Sequence, residues 1–241
     1  ARITEKQRTP SRAVDLPVSA YGVFERSPEE YLRIYEIGYP SLGEEKAREA
    51  REYESLEEVG AADFGTAMHS LLERIDFRNP HAKIEQYVQE IFGLFPEEAG
   101  REAHRLLEGF IAGPLFAKIQ KAKCVYRELP FVLGERHGRV NGVLDLLFQD
   151  QFGAWHIVDY KTAFGDPAKV QEARYDLQVA LYAVAVYKLL GAAPQSAVLC
   201  FLKNQWNHEI NFDPASLAQW EGRLADLQTA ILDYRQSLVR C

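Results

Sequence analysis

The stretch IVDYKT, residues 157–162, decides the fold class of this 241-residue chain. Ile157 and Val158 are apolar and suited to burial, whereas Asp159 and Lys161 place opposite charges two positions apart. Side chains two positions apart in a β-strand point to the same side of the sheet. The pattern therefore predicts a strand whose first half is buried and whose second half presents an acid and a lysine together.

Three segments have compositions typical of strands, and the last of them contains this stretch. They are KCVYRELPFVL (123–133), RVNGVLDLLFQ (139–149) and AWHIVDYKT (154–162), and the turn-like sequences GERHG and DQFG separate them. Consecutive strands joined by short connections predict an antiparallel meander. SAVLCFLK (196–203) predicts another strand, and the long helix predicted over 170–190 would allow it to pair in parallel.

Helical patterns surround these strands. ADFGTAMHSLLERI (62–75) places Phe64, Met68, Leu71, Leu72 and Ile75 at helical spacing, which indicates one buried face. We therefore expect an α/β fold with a mixed central sheet, an antiparallel meander plus a parallel strand, flanked by helices. Further helices are predicted over 28–38, 82–94, 97–112 and 214–238, and the charged stretch 43–59 is expected to be helical or mobile.

Composition points to a cytoplasmic globular protein. The net charge is −7, the hydrophobic content is 47%, and no apolar run approaches the roughly 18–20 residues of a membrane helix. Three widely spaced cysteines (Cys124, Cys200 and Cys241) fit neither a disulfide framework nor a zinc knuckle. Residues 1–17 are linker-like and are expected to precede a single domain over 18–241, with a helical part (18–122) and an α/β core (123–241).

Three carboxylates are predicted to converge on neighbouring strands. Asp145 lies in NGVLDLLF, Asp159 lies in the next strand, and Glu128 interrupts the first strand in YRELPF. Buried together, they would repel one another unless a cation lay between them, and hard oxygen ligands suit Mg²⁺ or Mn²⁺. Lys161 would add a positive charge beside that ion. Taken alone, a D-x-K pattern also fits a structural ion pair at the rim of a sheet.

This series of motifs resembles the PD-(D/E)XK nuclease superfamily, and within it the RecB/AddA-type nuclease domain. Five elements occur in that family's order. They are GTAMHSLLE (65–73) for the helix with a metal-binding histidine, ELPF (128–131) for the first core strand, GVLDLLF (142–148) for the metal aspartate, VDYKT (158–162) for the D-x-K strand and YDLQVALYA (175–183) for the Q-x-x-x-Y helix. The segment 18–38 also resembles the family's N-terminal part.

The resemblance implies a restriction-endonuclease-like core and a metal-dependent deoxyribonuclease. It implies that His69, Asp145 and Asp159 hold Mg²⁺, for which Mn²⁺ can substitute, and that the backbone carbonyl of Tyr160 adds a ligand. Glu128 is expected to support the ion as part of the catalytic set. The expected reaction is hydrolysis of phosphodiester bonds.

The remaining site residues follow from the same resemblance. Lys161 is expected to help activate water and to stabilise charge on the phosphate. Tyr175, Gln178 and Tyr182 share one stripe of a helix and are expected to contact DNA, although packing at the edge of the core is an open alternative. Glu73, one turn after His69, is expected to support the site or to be a surface charge.

Two motifs are absent. Several relatives place a cysteine where Ser27 stands, together with three more near the C-terminus, and the sequence lacks this set, so no iron–sulfur cluster is expected. No G-x-x-x-x-G-K-[ST] loop occurs, so no nucleotide site is expected. We expect the exonuclease domain of a UvrD/AddA-like helicase–nuclease acting on single-stranded DNA ends in recombination and repair. A stand-alone exonuclease, a nuclease-inactive DNA-binding module and a restriction-type endonuclease remain alternatives.

Overall fold

A computed structural model of the chain describes residues 13–38 and 60–239. In this part, a six-stranded mixed sheet is flanked by helices, which confirms the predicted α/β class. The strands are β1 (Leu16–Pro17), β2 (Cys124–Glu135), β3 (Gly138–Gln149), β4 (Trp155–Lys161), β5 (Pro194–Phe201) and β6 (Trp206–Asn211). The helices are α1 (Val18–Arg26), α2 (Pro28–Tyr31), α3 (Ala61–Arg74), α4 (Ile84–Phe92), α5 (Glu97–Ile111), α6 (Pro114–Gln120), α7 (Pro167–Glu172), α8 (Tyr175–Leu190) and α9 (Pro214–Val239).

The sheet combines both predicted kinds of pairing. Strands β2, β3 and β4 form an antiparallel meander, and β5 then pairs in parallel with β4. β6 adds an antiparallel edge strand that the sequence patterns did not predict. β1 pairs in parallel with β3, so the last residues of the segment predicted to be linker-like contribute to the sheet. Residues 1–12 of that segment lie outside the described part.

Each face of the sheet has its own hydrophobic core. Along β4, Ile157 packs into a core formed with α1, α8 and α9, whereas Val158 packs into a second core formed with α3, α5 and α6. The alternation arises because successive side chains of a strand point to opposite faces. This central strand is therefore buried on both sides, as its apolar first half predicts.

Two of the predicted helices differ in the structure, and α1 and α6 were not predicted. The helix predicted over 170–190 is divided into α7 and α8 at Arg174, whose φ of 56° is left-handed and whose guanidinium pairs with Glu25 of α1 at 3.3 Å. The helix predicted over 28–38 continues after α2 as a π-helical turn, Leu32–Glu36. The charged stretch 43–59 lies outside the described residues. In the described ranges, no helix combines the length and apolarity needed to cross a membrane.

A buried polar network fastens the β3–β4 hairpin to β5. His156 is 1% exposed, and its Nδ1 lies 2.9 Å from Ser196 Oγ while its Nε2 lies 3.3 Å from Asp150 Oδ2. Lys118 Nζ lies 3.4 Å from the same Nδ1. Burial and the Lys118 charge lower the pKa of His156 below its usual 6.5, and the carboxylates of Asp150 and Glu209 only partly oppose them. The neutral ring therefore accepts from Ser196 and donates to Asp150.

This network predicts a pH dependence of folding. Because the pKa of His156 is lower in the folded chain than in the unfolded one, the unfolded chain takes up the proton first as the pH falls. The contribution of neutral His156 to the unfolding free energy is fully present above pH 6.5 and is lost as the pH falls below it. The unfolding free energy then changes by at most about 1.4 kcal/mol per pH unit. We expect His156→Gln to flatten the pH dependence of the unfolding free energy between about pH 5 and 6.5, measured by urea titration in a chelator.

His81→Gln serves as the control, since His81 is an exposed histidine on the surface of the helical part. The change of slope in His156→Gln is compared with that in His81→Gln, which removes a histidine without touching the buried network. Equal slopes in the wild type and His156→Gln would contradict the assignment, whatever the effect of the substitution on stability at pH 8.

Candidate metal centre

The candidate site lies in a gap at one edge of β3. β2 pairs along one edge on both sides of Asp145, whereas β1 pairs with Val140 and Asn141 on the other edge and β4 pairs from Leu146 onward. Asp145 lies between these last two pairings, and its Oδ2 accepts the backbone N–H of Tyr160 at 2.8 Å. A side chain thus replaces the ladder hydrogen bond at the point where β4 leaves β3. The divergence of the two strands opens the cleft in which the acidic residues meet.

The strands also change face at this position. Leu144 and Leu147 both belong to the core beside α8, whereas Leu146 belongs to the opposite core. In a regular strand, residues 144 and 146 would share a face, so alternation is interrupted at Asp145. On the neighbouring strand β2, Glu128 lies between the residues paired with Leu144 and Leu146, and its φ is 44°. The two irregular residues therefore lie side by side.

The backbone of Glu128 is strained. A left-handed conformation in a residue other than glycine costs on the order of 1–3 kcal/mol, and the surrounding structure must stabilise it. Arg127 contributes to this, because its Nη1 donates to the carbonyl oxygens of Glu73, at 2.7 Å, and Ile75 at the C-terminal end of α3. Its guanidinium also lies 4.9 Å from the centre of the Phe77 ring. Arg127 thereby holds the helix that carries His69 against the strand that carries Glu128.

Sequence reasoning missed Arg127 as a residue of the site. Its one detectable signal was a basic residue next to the predicted acid, and that signal has no specificity. A guanidinium that caps a helix from 52 to 54 positions away can be identified only once both elements are placed.

His69 faces two of the acids. Its Nδ1 lies 3.5 Å from Asp145 Oδ1 and 3.6 Å from Glu128 Oε1, and its Nε2 donates to the Tyr160 carbonyl oxygen at 3.2 Å. The donation from Nε2 leaves Nδ1 to face the carboxylates, which is how hydrogen bonds orient a metal-binding histidine. The Tyr160 carbonyl, predicted as a ligand, is placed as the acceptor for this ring.

The electrostatics of the cluster favour a positive charge at its centre. Burial lowers the pKa of His69, but the hydrogen bond to Asp145 and the charges of Asp145, Asp159 and Glu128 outweigh it and raise the pKa to about 9. Burial and the neighbouring Asp145 raise the pKa of Glu128. One ligand atom from each of His69, Glu128 and Asp145 lies within 4.8 Å of the others, so these three residues could hold a metal ion. A nitrogen and two carboxylates are a donor set that suits Mn²⁺ and Mg²⁺.

Asp159 and Lys161 form an adjacent ion pair. Asp159 is 2% exposed, and its Oδ2 lies 2.7 Å from Lys161 Nζ. Burial raises the pKa of Asp159, and Lys161 only partly opposes this. Burial lowers the pKa of Lys161, but the Asp159 carboxylate outweighs it and raises the pKa. Of the acids predicted to bind metal, Asp145 and Glu128 thus converge with His69, while Asp159 is engaged by the lysine beside them.

The predicted DNA-binding stripe of α8 lies against Lys161. Lys161 Nζ donates to Gln178 Oε1 at 3.1 Å and lies 4.4 Å from the centre of the Tyr175 ring. Gln178 Nε2 in turn donates to the Tyr182 hydroxyl at 3.1 Å. The stripe therefore positions the lysine. Tyr182 is only 6% exposed, which leaves little of its ring for stacking on a base.

Comparison with known proteins agrees with this geometry. A model of the PD-(D/E)XK nuclease superfamily matches residues 16–239. An ATP-dependent helicase/nuclease subunit from Staphylococcus epidermidis is 30% identical over 148 residues, which are 54% of this chain and 12% of that protein. The protein of the same name from Listeria welshimeri is 29% identical over 181 residues, 64% of this chain and 15% of that protein. This chain thus covers only a small part of the length of these relatives.

A solved structure has a similar fold. A putative exonuclease from Eubacterium rectale superposes with a TM-score of 0.53 at 11% identity, and the alignment covers 98% of this chain and 88% of that one. At this identity, the likeness concerns the fold alone.

The geometry predicts that Mn²⁺ stabilises the folded chain through the three convergent residues. An ion at 100 times its dissociation constant adds about 2.7 kcal/mol to the unfolding free energy. We expect the Mn²⁺-dependent rise in the thermal midpoint, measured at pH 8, to be largely lost in Asp145→Asn and His69→Gln. Glu73→Gln is the matched control, since it lies on the same helix outside the cluster. An undiminished rise in both ligand variants would show that the ion binds elsewhere.

Proposed function

Because this chain belongs to the PD-(D/E)XK nuclease superfamily, we propose that it is a metal-dependent deoxyribonuclease that hydrolyses phosphodiester bonds. One observation carries the proposal. The ligand atoms of His69, Glu128 and Asp145 lie within 4.8 Å of one another, and the buried Asp159–Lys161 pair lies beside them. A nuclease-inactive DNA-binding module would have no need to retain this costly group of charges, so the filled acidic and lysine positions favour catalysis.

Each residue of the proposed site has a distinct role. His69, Glu128 and Asp145 hold the ion, Mg²⁺ or Mn²⁺, and Asp159 completes its binding when substrate is present. The ion supplies positive charge to the phosphate and makes a water molecule more acidic. Without a cation among them, the carboxylates would repel the negatively charged phosphate of the substrate, so hydrolysis should require the divalent ion.

Lys161 is held ready to act on the phosphate or on the water. An ammonium group has three N–H donors. One is donated to Gln178, and the ammonium group forms an ion pair with Asp159 at 2.7 Å, so at least one donor is left for the substrate. Since both contacts exist before substrate arrives, little reorganisation is needed when charge develops on the phosphate.

The proposed setting is a helicase–nuclease that acts in DNA recombination and repair. The relatives from Staphylococcus epidermidis and Listeria welshimeri are named as helicase/nuclease subunits, and this chain corresponds to only 12% and 15% of their lengths. The sequence has no phosphate-binding loop motif of its own, so we propose that a motor in the same polypeptide or complex delivers strands to the chain, which can also act on free ends. We propose that the substrate is the end of single-stranded DNA, in the cytoplasm.

The function is tested with end-labelled linear single-stranded DNA and a circular strand of the same sequence. In Mg²⁺, we expect degradation of the linear strand from an end, and its abolition by chelation or by Asp145→Asn. The circular strand is expected to persist, because an exonuclease needs an end. Equal cutting of both would favour an endonuclease, and intact linear DNA under all conditions would reject the nuclease proposal.

The role of Lys161 is tested by Lys161→Gln, which keeps a polar side chain of similar size beside Asp159. Because the charge that stabilises the phosphate is lost, we expect kcat to fall by about 10²-fold or more, with little change in the Mn²⁺-dependent stabilisation. Asp159→Asn is expected to impair turnover and the binding of the ion in the presence of substrate. Lys169→Gln on α7 is the control for a lost lysine, and turnover of Lys161→Gln at the control's rate would contradict the mechanism.

A further inference from the structure

An exposed phenylalanine follows the site along the chain. Phe164 is 61% exposed and lies three residues after Lys161, in the loop that connects β4 to α7. Adjacent Cα atoms are about 3.8 Å apart, so Phe164 begins no more than about 11 Å from the lysine. A single exposed phenylalanine has no meaning in itself. Its attachment to the fold distinguishes this one.

The position of Phe164 is fixed by the contacts of the next residue, Gly165. Gly165 N donates to Asn204 Oδ1 at 3.0 Å, and Asn204 Nδ2 donates back to the Gly165 carbonyl at 2.8 Å. The asparagine side chain thus pairs with the loop as a neighbouring strand would. Gly165 is buried so tightly that a Cβ atom would lie 2.3 Å from the Phe201 ring and 2.5 Å from the Trp206 ring. The loop is therefore fastened to the turn between β5 and β6.

The other end of the loop is also placed by the site. The Lys161 carbonyl accepts the backbone N–H of Leu202 at 2.9 Å, so the chain is hydrogen-bonded to the β5–β6 turn where the loop begins. Thr162 follows directly and lies beside Gly65 of α3, where an added Cβ would be 3.3 Å from its Oγ1. Phe164 is thus carried between the helix of His69 and the β5–β6 turn. The ring is presented on a short loop that is fixed at both ends. The loop lies beside the C-terminal ends of the parallel strands β4 and β5.

A cation accompanies the ring. Lys203, in the β5–β6 turn, places its Nζ 5.7 Å from the centre of the Phe164 ring. An aromatic face next to a lysine is the combination with which proteins bind single-stranded nucleic acid, since the ring stacks on a base and the cation attracts a phosphate. The stripe of α8 offers less of such a surface, because Tyr182 is buried and the Tyr175 ring lies beside Lys161.

We propose that Phe164 is a base-stacking platform, with Lys203 as its phosphate contact, for an unpaired nucleotide near the scissile phosphate. The inference rests on the proposed nuclease function and deepens it by naming the residues that would hold the unpaired strand, since only an unpaired base exposes a face to the ring. Stacking is tolerant of sequence because every base has such a face. The platform would therefore orient single-stranded DNA without selecting a sequence.

The test measures binding of a short oligothymidylate that carries one 2-aminopurine, whose fluorescence falls on stacking. Ca²⁺ replaces Mg²⁺, and recovery of the intact strand shows that no cleavage occurs. We expect Phe164→Ala to bind roughly 5- to 150-fold more weakly and to lose the quenching, the range found when a stacking aromatic is truncated. Phe164→Trp is expected to restore both.

Phe152→Ala is the matched control. Phe152 is 84% exposed, but it lies in the turn between β3 and β4, at the end of β4 opposite to Lys161. Its truncation is expected to leave binding unchanged. An abasic position moved along the oligonucleotide provides a second measurement. When the abasic position falls opposite Phe164, it should weaken oligonucleotide binding to the wild type. It should not weaken binding to Phe164→Ala any further, because both changes remove the same contact.

Hydrolysis in Mn²⁺ of an end-labelled strand of abasic tetrahydrofuran phosphates separates this inference from the nuclease proposal, because that compound offers no aromatic ring to the platform. Wild type and Phe164→Ala are expected to hydrolyse it equally. Failure of the wild type to cleave either this compound or DNA would reject the nuclease function. Unchanged oligonucleotide affinity in Phe164→Ala, or no measurable binding by the wild type, would overturn the stacking platform even if cleavage is observed.

Discussion

The site depends on the hydrogen bond between the Asp145 carboxylate and the backbone N–H of Tyr160. In an uninterrupted antiparallel sheet, β3 and β4 would continue to pair through their backbones, and their side chains would be divided between two packed faces. Here a side-chain acceptor takes the place of the next backbone acceptor. The strands can therefore separate without leaving the Tyr160 N–H unpaired, and the gap between them admits the remaining acidic residues.

Gathering these charges is costly, and the surrounding contacts show how the cost is offset. Asp159 is buried and is stabilised by Lys161, whose ammonium group is in turn held by Gln178. His69 balances Asp145 and Glu128 from the other side. Each contact leaves a polar group engaged before any ion arrives, and an unpaired buried charge would be much more destabilising than any of these pairs. The result is a preformed site whose remaining deficit is a positive charge.

The two cores divide the work of positioning. The core that contains α3 places His69, and Arg127 fixes the end of that helix to β2. The core that contains α8 places the stripe that orients Lys161. Since β4 is buried between these cores, its backbone is the common reference for both groups of residues. At the other end of the hairpin, the His156 network adds a second fastening far from the chemistry.

Sequence patterns alone predict the strand meander, the parallel pairing of β5 with β4 and most of the charged residues that the fold gathers beside Asp145. Alternating apolar residues and short turns specify local structure, and charged residues within otherwise buried strands stand out against that pattern. IVDYKT is the clearest case, since burial explains Ile157 and Val158 but cannot explain Asp159. The contacts that each of those residues makes could be learned only from the tertiary structure.

The change of face at Asp145, the left-handed Glu128 and the capping of α3 by Arg127 each depend on the contact of elements that are distant in the chain. The same reason explains why the short strands β1 and β6 were missed. Leu16–Pro17 has only two residues, and its extended conformation is stabilised by pairing with Val140 and Asn141 rather than by its own propensity. Local pattern thus singled out the residues of the candidate site, and long-range packing decided which of them contact one another.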